Sequence, residues 1–272
     1  MGIALDRDGS SAWVLGTGLD RVTHVMPDGS ATEYALPTSE LGLEAAQAAD
    51  GTVWVPEQYR DAVAAIAPDG TVRECRLPRG SSLPQGTAIG ADGSVWIAAG
   101  PAIDRLAGGR FTAHPIGVDG ASAAEVVADP DGGAWFTLQG APLLGRITAA
   151  GAVQRIPIGG SGTNLGLLLA PDGAVWVGDF GGDRVVRVAP DGSLTELHAA
   201  AGARPQSLAF GPGGVLWLTE SGGDHIARVR GGSVEPVIQT GRWPDHMAVT
   251  QDGWAWFTEY YTDRVGRVRL PT

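Results

Sequence analysis

The chain has 272 residues and a formal net charge of −11, which argues against a nucleic-acid partner because phosphate binding needs clustered basic side chains. All 19 basic side chains are arginine, so Schiff-base chemistry and a lysine general base are excluded. No apolar stretch is long enough to span a bilayer, and the single cysteine, Cys75, excludes an intramolecular disulfide. We therefore expect a cytoplasmic protein with neither a membrane nor a nucleic acid as its partner.

Tryptophan recurs along the chain at a spacing of about 40 residues, which is typical of a propeller repeat. The periodic tryptophans are Trp13, Trp54, Trp96, Trp135, Trp176, Trp217 and Trp256. Around each one the sequence reads as an apolar strand, an Asp-Gly-type turn, the tryptophan strand, an arginine-bearing strand and an outer strand rich in Thr or Val. We therefore predict an all-β fold in which residues 1–272 form a single seven-bladed β-propeller domain.

The strands of the individual blades follow from this pattern. The first blade is predicted at Gly2–Leu5, Ala12–Leu15, Val22–Val25 and Ala31–Leu36. The next five blades cover roughly residues 43–77, 85–116, 125–158, 166–197 and 207–238. In the last blade, Met247–Val249 and Trp254–Glu259 are followed by only one more strand, Arg264–Leu270. We expect a three-stranded last blade whose open edge is guarded by arginines, so a monomer is favoured over a dimer formed by strand addition.

The two faces of the ring differ in composition. Because the strands alternate in direction, the small-residue turns share one face, the bottom. The loops that enter each inner strand or leave each tryptophan strand share the other face, the top, which carries varied polar residues and is the candidate binding face. The heads of the inner strands carry Gln85, Glu125, Asn164, Gln206 and Asp245. The positions three residues after the tryptophans carry Glu57, Asp179, Glu220 and Glu259.

Several of these carboxylates are predicted to act together. We expect Asp179, Glu220, Asp245 and Glu259 to converge on one side of the channel, where like charges would raise a pKa unless a cation sits among them. For Glu220, the alternative interpretation is a structural residue that bonds a neighbouring backbone amide.

The stretch from Trp243 to Tyr261 concentrates the groups that can carry chemistry. It reads as two strands joined by an Asp-Gly turn, so the start of the first strand and the end of the second lie at the same edge. That edge carries Asp245, His246 and Glu259, the candidate catalytic residues. A carboxylate or an imidazole at this point can serve as a general base, although strand alternation turns neighbouring side chains to opposite faces.

Aromatic residues near the top face lie outside the strand alternation. We interpret them as a wall for a ligand rather than as core: Tyr59, Phe180, Trp243, Tyr260 and Tyr261. His225 is predicted to face the same mouth, with a solvated loop histidine as the alternative.

The units Pro-Asp-Gly-Ala-Val-Trp-Val and Gln-Asp-Gly-Trp-Ala-Trp-Phe-Thr-Glu-Tyr-Tyr-Thr-Asp-Arg-Val-Gly-Arg-Val resemble the repeats of the virginiamycin B (streptogramin B) lyases. The resemblance covers nearly the whole chain. It implies a seven-bladed propeller that opens a cyclic depsipeptide antibiotic by magnesium-dependent elimination at an ester, without water. It also implies that Glu259 helps to hold Mg²⁺. Those lyases have a histidine after the proline at the head of the last two inner strands, where this chain has Gln206 and Asp245, and His246 comes one residue late.

Two functions follow from these observations. In the first, the protein is a lyase-like enzyme that acts on a small or peptide-like molecule of secondary metabolism by elimination, cyclisation or isomerisation. Asp245 or His246 would be the base, and Glu259 would hold a divalent cation. In the second, the protein is a non-catalytic propeller that binds a small ligand or a protein partner on the same face.

Overall fold

A computed structural model describes residues 1–16, 20–37 and 41–271 and contains seven antiparallel sheets, each with its strands in chain order. The first blade comprises β1 (Gly2–Leu5), β2 (Ala12–Leu15), β3 (Arg21–Val25) and β4 (Ala31–Ala35). The second comprises β5 (Ala46–Gln47), β6 (Val53–Glu57), β7 (Ala62–Ile66) and β8 (Val72–Arg76). The third comprises β9 (Pro84–Ile89), β10 (Val95–Ala99), β11 (Ala102–Ala107) and β12 (Arg110–Pro115).

The remaining blades repeat this order. The fourth comprises β13 (Ser122–Ala128), β14 (Ala134–Gln139), β15 (Leu143–Ile147) and β16 (Val153–Pro157). The fifth comprises β17 (Asn164–Leu169), β18 (Val175–Asp179), β19 (Arg184–Val188) and β20 (Leu194–His198). The sixth comprises β21 (Pro205–Phe210), β22 (Leu216–Glu220), β23 (His225–Arg230) and β24 (Ser233–Gln239). The seventh comprises β25 (Pro244–Val249), β26 (Trp254–Glu259) and β27 (Arg264–Arg269).

The predicted all-β, seven-bladed propeller with a three-stranded last blade is confirmed, since no fourth strand pairs with β27 within residues 1–16, 20–37 and 41–271. In residues 1–16, 20–37 and 41–271, helical structure is confined to short 3-10 turns at Gln58–Arg60, Pro212–Gly214 and Ser221–Gly223. Among the described residues, no helix has both the length and the apolar character needed to cross a membrane.

Each periodic tryptophan lies on the second strand of its blade and packs against the next blade. Trp96 packs against Phe136 of the fourth blade, and Trp256 of the last blade packs against Ile3 of the first. Arginines of the third strands cover several of these rings, as Arg146 does at 5.0 Å from the Trp135 ring. The ring therefore closes by side-chain packing between the last and first blades, and the predicted packing role of the tryptophans is confirmed.

A β-bulge at the head of the inner strand recurs in the fourth to seventh blades. In β25, Pro244 pairs with Glu259 and Met247 with Phe257, so one extra residue is inserted between them. The His246 amide donates to the Thr258 hydroxyl at 3.1 Å, which gives the bulged amide a partner. Strict alternation of Asp245 and His246 was therefore a wrong expectation, because the bulge interrupts it and both side chains are buried.

The bulged heads pack closely around the central axis. A Cβ atom on Gly86 would lie 2.9 Å from the Ala124 carbonyl oxygen, and one on Gly166 would overlap the Gln206 carbonyl. Only glycine permits this approach of one inner strand to the next. Below the top face, the side chains of Glu125 and His246 are buried by this packing.

Candidate functional site

A cavity of about 350 Å³ opens on the top face beside the axis. Six of its lining residues were predicted from the sequence: Phe180, Gln206, Trp243, Asp245, Tyr260 and Tyr261. Its apolar part, which includes Leu43 and Leu165, was not predicted. These two leucines stand eleven residues before Trp54 and Trp176, the step that located Asp245 before Trp256, so the repeat would have identified them had apolar residues been considered.

The structure brings together four of the five predicted wall aromatics. The Phe180 and Trp243 rings lie 6.2 Å apart, and Tyr261 meets Trp243 edge-on at 5.5 Å. Tyr260 contacts Tyr261 edge-on at 5.2 Å. Tyr59 is not part of this wall, because it lies in the 3-10 turn after β6 and is 67% exposed.

Trp243 is held by an unusual backbone conformation. Its φ is 60°, in the left-handed region, and its amide donates to Asp224 Oδ1 at 2.7 Å. Arg204 stands at the equivalent position one blade earlier, with φ 55° and its amide 2.9 Å from Asp183 Oδ1. The Arg204 guanidinium lies 5.3 Å from the Trp243 ring. A conformation that costs about 1–3 kcal/mol persists only where surrounding contacts impose it, so the aromatic wall is preorganised.

Asp245 lies at the floor of the cavity in a dense set of contacts. Its Oδ2 is 2.5 Å from the Met1 amino group, and its Oδ1 accepts a hydrogen bond from Gln206 Nε2. Its Oδ1 also lies 3.3 Å from Nδ1 of His246. Burial alone would raise the pKa of Asp245, but the His246 imidazolium and the amino group outweigh it and lower the pKa to about 2. The carboxylate is therefore ionised throughout the neutral range.

His246 is buried behind Asp245 and points into the axis. Its Nδ1 lies 3.1 Å from the Met1 carbonyl oxygen, and its Nε2 lies 3.6 Å from Oε1 of Glu125. Burial alone would lower its pKa, but the carboxylates of Asp245 and Glu125 raise it to about 10. His246 is therefore a cation at neutral pH, and Asp245 is the member of the pair that carries the negative charge.

Two glutamates complete this buried charge cluster. Burial raises the pKa of Glu125, although the nearby His246 imidazolium opposes the shift. Glu44, which is half-buried, has a pKa well above its ordinary value because of burial and the charge of Glu125. Glu44 stands ten residues before Trp54, the same step that separates Glu125 from Trp135 and His246 from Trp256, so the repeat marked it although sequence reasoning missed it.

Three of the four carboxylates predicted to converge have other partners in the structure. Asp179 forms an ion pair with Arg184 at 2.9 Å and also accepts from the loop at Ser161. Glu259 accepts hydrogen bonds from the Gly241 amide and the Thr262 hydroxyl. No hydrogen bond or ion pair in the described part of the chain joins any two of the four. The pKa of Glu220 is raised, but chiefly by burial, with His225 opposing the shift.

The other predicted site residues are also outside the cavity lining. Gln85 is buried, and its Oε1 lies 3.5 Å from Gln139 Nε2. Glu57 is fully buried, and neither of its carboxylate oxygens has a hydrogen-bond partner among the residues that the structure describes; burial raises its pKa to about 7. His225 is half-buried at the start of β23, opposite Glu220 in the strand pair.

Glu259, the metal ligand implied by the resemblance, accepts a hydrogen bond at each of its carboxylate oxygens. Its Oε1 accepts the Gly241 amide at 2.7 Å, and its Oε2 accepts the Thr262 hydroxyl at 2.7 Å. Within the ranges that the structure describes, no group of three or more His, Cys, Asp or Glu side chains is arranged to hold a metal ion. Because each Glu259 oxygen already accepts a hydrogen bond and no further ligand side chains are grouped around it in the described ranges, the residues present do not fit a magnesium site.

A larger cavity of about 660 Å³ lies on the bottom face between the fourth and fifth blades. Its polar groups are already paired: Asp129 accepts from the Trp135 indole at 2.9 Å and from Arg146 at 2.9 Å. The same Trp–Arg arrangement recurs in other blades, which marks it as part of the repeat. The smaller top cavity is therefore the better candidate site, since its lining includes groups that are unique to their blades.

The fold and the site together define a class: a seven-bladed propeller with an aromatic-walled cavity and a buried acid–imidazolium pair at the top of its axis. The model of the virginiamycin B lyase family matches residues 1–163 and 102–271. The chain therefore belongs to the virginiamycin B lyase family.

Individual relatives support this assignment. The virginiamycin B lyase of Nocardia farcinica is 38% identical over 128 residues, which is 44% of this chain and 43% of that protein. The matched stretch thus spans less than half of that curated relative.

Among solved structures, virginiamycin B lyase from Staphylococcus aureus is 25% identical with a TM-score of 0.91, covering 99% of this chain and 94% of that one. A catalytically inactive histidine-to-alanine variant of the same enzyme, solved with quinupristin, has a TM-score of 0.92, with the same identity and coverage.

Proposed function

We propose that the protein is a lyase that binds a cyclic depsipeptide of the streptogramin B type, or a similar peptide-like molecule, in the top cavity and opens it by elimination. One observation carries the proposal: the ionised carboxylate of Asp245 lies at the floor of a cavity walled by Phe180, Trp243 and Tyr261. Family membership makes an elimination the first reaction to test.

In such an elimination, the base takes the proton on the carbon next to a carbonyl group. The C–O bond on the adjacent carbon then breaks, a C=C double bond forms, and the ester oxygen leaves as part of a carboxylate. Asp245 would receive the proton. The His246 imidazolium behind it would keep the carboxylate in its ionised form before the reaction. A carboxylate of low pKa is a weak base, so the rate would depend on how well the wall positions the reacting C–H bond.

The same ion pair also favours a second function, the binding of such a ligand without conversion. Asp245 is engaged by His246, Gln206 and the Met1 amino group, and each contact lowers its tendency to accept a proton. In this case the aromatic wall would capture the ligand and the Asp245–His246 pair would act only as a polar floor.

Quinupristin is the probe that separates these functions. Binding is measured by titration calorimetry, and conversion by chromatography coupled to mass spectrometry. Elimination opens the ring without a change of mass, whereas hydrolysis adds the mass of one water. We expect Asp245→Asn to reduce conversion by about 10²–10⁴-fold while preserving binding, because the amide keeps the shape and removes the base. The exposed Asp119→Asn serves as the matched control.

The outcomes are distinct. Isomeric product that is lost in Asp245→Asn supports the lyase. Binding of intact quinupristin without product supports the second function, and product that persists in Asp245→Asn overturns the role of that carboxylate. Neither binding nor conversion would contradict both functions for this ligand class.

A further inference from the structure

We propose that Glu125 is a positioning residue that holds the His246 imidazolium across the channel axis and thereby fixes the charge of Asp245. The three side chains would form one continuous array that runs from the cavity floor to the far side of the ring. The expected effect of Glu125 on the rate of conversion rests on the proposed lyase function, whereas the arrangement of the three charged side chains does not.

The array arises from two equivalent bulges on opposite sides of the ring. In the seventh blade the His246 amide donates to the Thr258 hydroxyl at 3.1 Å. In the fourth blade the Glu125 amide donates to the Thr137 hydroxyl at 3.0 Å. The same local device thus turns a side chain inward from each blade, and the two side chains meet at the axis.

Two buried atoms face each other at the axis. His246 Nε2 and Glu125 Oε1 lie 3.6 Å apart, and neither has a hydrogen-bond partner within the described part of the chain. The two side chains are only 2% and 1% exposed. At that separation the interaction is an ion pair rather than a hydrogen bond. An isolated buried charge is strongly unfavourable, so each of these groups stabilises the ionised form of the other.

The other groups that face His246 have separate roles. Asp245 and the Met1 carbonyl lie on its Nδ1 side, and the Met1 amino group contacts Asp245. Glu44 interacts most strongly with Glu125 and more weakly with His246, and burial raises its pKa well above the ordinary value. Glu125 is therefore the group that neutralises the Nε2 side of the imidazolium.

A histidine titration followed by NMR tests this inference without any substrate. Isotope-labelled histidine reports all five imidazoles, and His246→Gln identifies the signal of His246. We expect the wild-type His246 signal to remain that of an imidazolium until the pH approaches about 10. In Glu125→Gln its pKa should fall by about one pH unit or more, which is about a tenfold change in its protonation constant.

Glu44→Gln is the matched control, because Glu44 interacts more strongly with Glu125 than with His246 and is not among the groups that raise the pKa of His246. We expect it to leave the pKa of His246 unchanged. An unchanged pKa in Glu125→Gln would overturn the inference, as would a wild-type His246 that titrates near 6.5. If Glu125→Gln does not fold, Glu125→Asp takes its place, since the shorter side chain retracts the charge and should lower the pKa to a smaller extent; an unchanged pKa there also overturns the inference.

The kinetic measurement then separates this inference from the proposed function. If quinupristin is converted, kcat in Glu125→Gln should start to decline at a lower pH than in the wild type, with KM unchanged. If quinupristin is not converted, the lyase proposal fails while the NMR result still decides whether Glu125 holds His246.

Discussion

Nδ1 of His246 lies 3.3 Å from Oδ1 of Asp245, although the two residues are neighbours in one strand. In a regular strand they would point to opposite faces. The bulge opposite Thr258 instead buries both and creates an ion pair, with the carboxylate at the cavity floor and the imidazolium at the axis.

The first prediction is that conversion of quinupristin is nearly independent of pH between about pH 4 and about pH 9. Asp245 has a pKa of about 2 and His246 a pKa of about 10, so neither changes its charge in this range. Initial rates measured across this range test the prediction. A rate that rises through about pH 6.5, as for a histidine base of ordinary pKa, would contradict it.

Fold stability should depend on His246 in a predictable direction. Its pKa is raised from 6.5 to about 10, so its contribution is fully present below pH 6.5 and is lost as the pH rises through about 10. The difference in Tm between the wild type and His246→Gln should therefore shrink as the pH approaches 10. The exposed His198→Gln is the control and should show no such trend. A constant difference for His246→Gln would mean that the imidazole is not charged in the folded protein.

The aromatic wall should supply much of the ligand affinity. Trp243→Ala is expected to weaken quinupristin binding by about tenfold or more, because it removes the central ring of the wall. Tyr59→Ala removes an exposed aromatic side chain outside the cavity and should leave the affinity unchanged. Titration calorimetry on both variants decides the matter, and equal losses would place the ligand elsewhere on the top face.

Glu259 is expected to stabilise the blade rather than to bind a cation. Glu259→Gln and Thr262→Val should each lower stability by about 0.5–1.5 kcal/mol, since both weaken the hydrogen bond between these side chains. Magnesium chloride and EDTA should leave the wild-type Tm unchanged. A magnesium-dependent increase in Tm that disappears in Glu259→Gln would restore the metal role implied by the resemblance.

Glu57 should destabilise the fold at alkaline pH. Burial raises the pKa of Glu57 from its ordinary value of 4.5 to about 7 in the folded protein. Its contribution to the free energy of unfolding is therefore fully present below pH 4.5 and is lost as the pH rises through about 7. Glu57→Gln, which stays neutral, should gain about 1–2 kcal/mol over the wild type at about pH 8.5 and little at about pH 5. Denaturant unfolding at both values measures this. The control Glu33→Gln changes an exposed side chain and should not gain stability at the alkaline pH. If Glu57→Gln also gains no stability there, the prediction is contradicted.

The amino-acid sequence by itself determined the architecture of the ring. Tryptophans about 40 residues apart place one large ring on each second strand, and the turns between them limit the strand lengths. The strand Trp254–Glu259 was predicted with the bounds that the structure shows, as was the three-stranded last blade. Phe180 and Tyr261 could be recognised as wall residues because they lie just beyond strand ends, where alternation no longer assigns a side chain to the core.

Only the tertiary structure decided which charged groups meet. Glu125 and His246 are far apart in sequence and become partners because two bulges, each bonded to a threonine hydroxyl, turn them to one axis. The partners of Asp179 and Glu259 could not be read from the sequence because they include backbone amides of the loops at Ser161 and Gly241, which any residue except proline can supply. The repeat pattern reflects short-range strand and turn preferences, whereas the state of a buried charge depends on the dielectric and on groups contributed by distant blades.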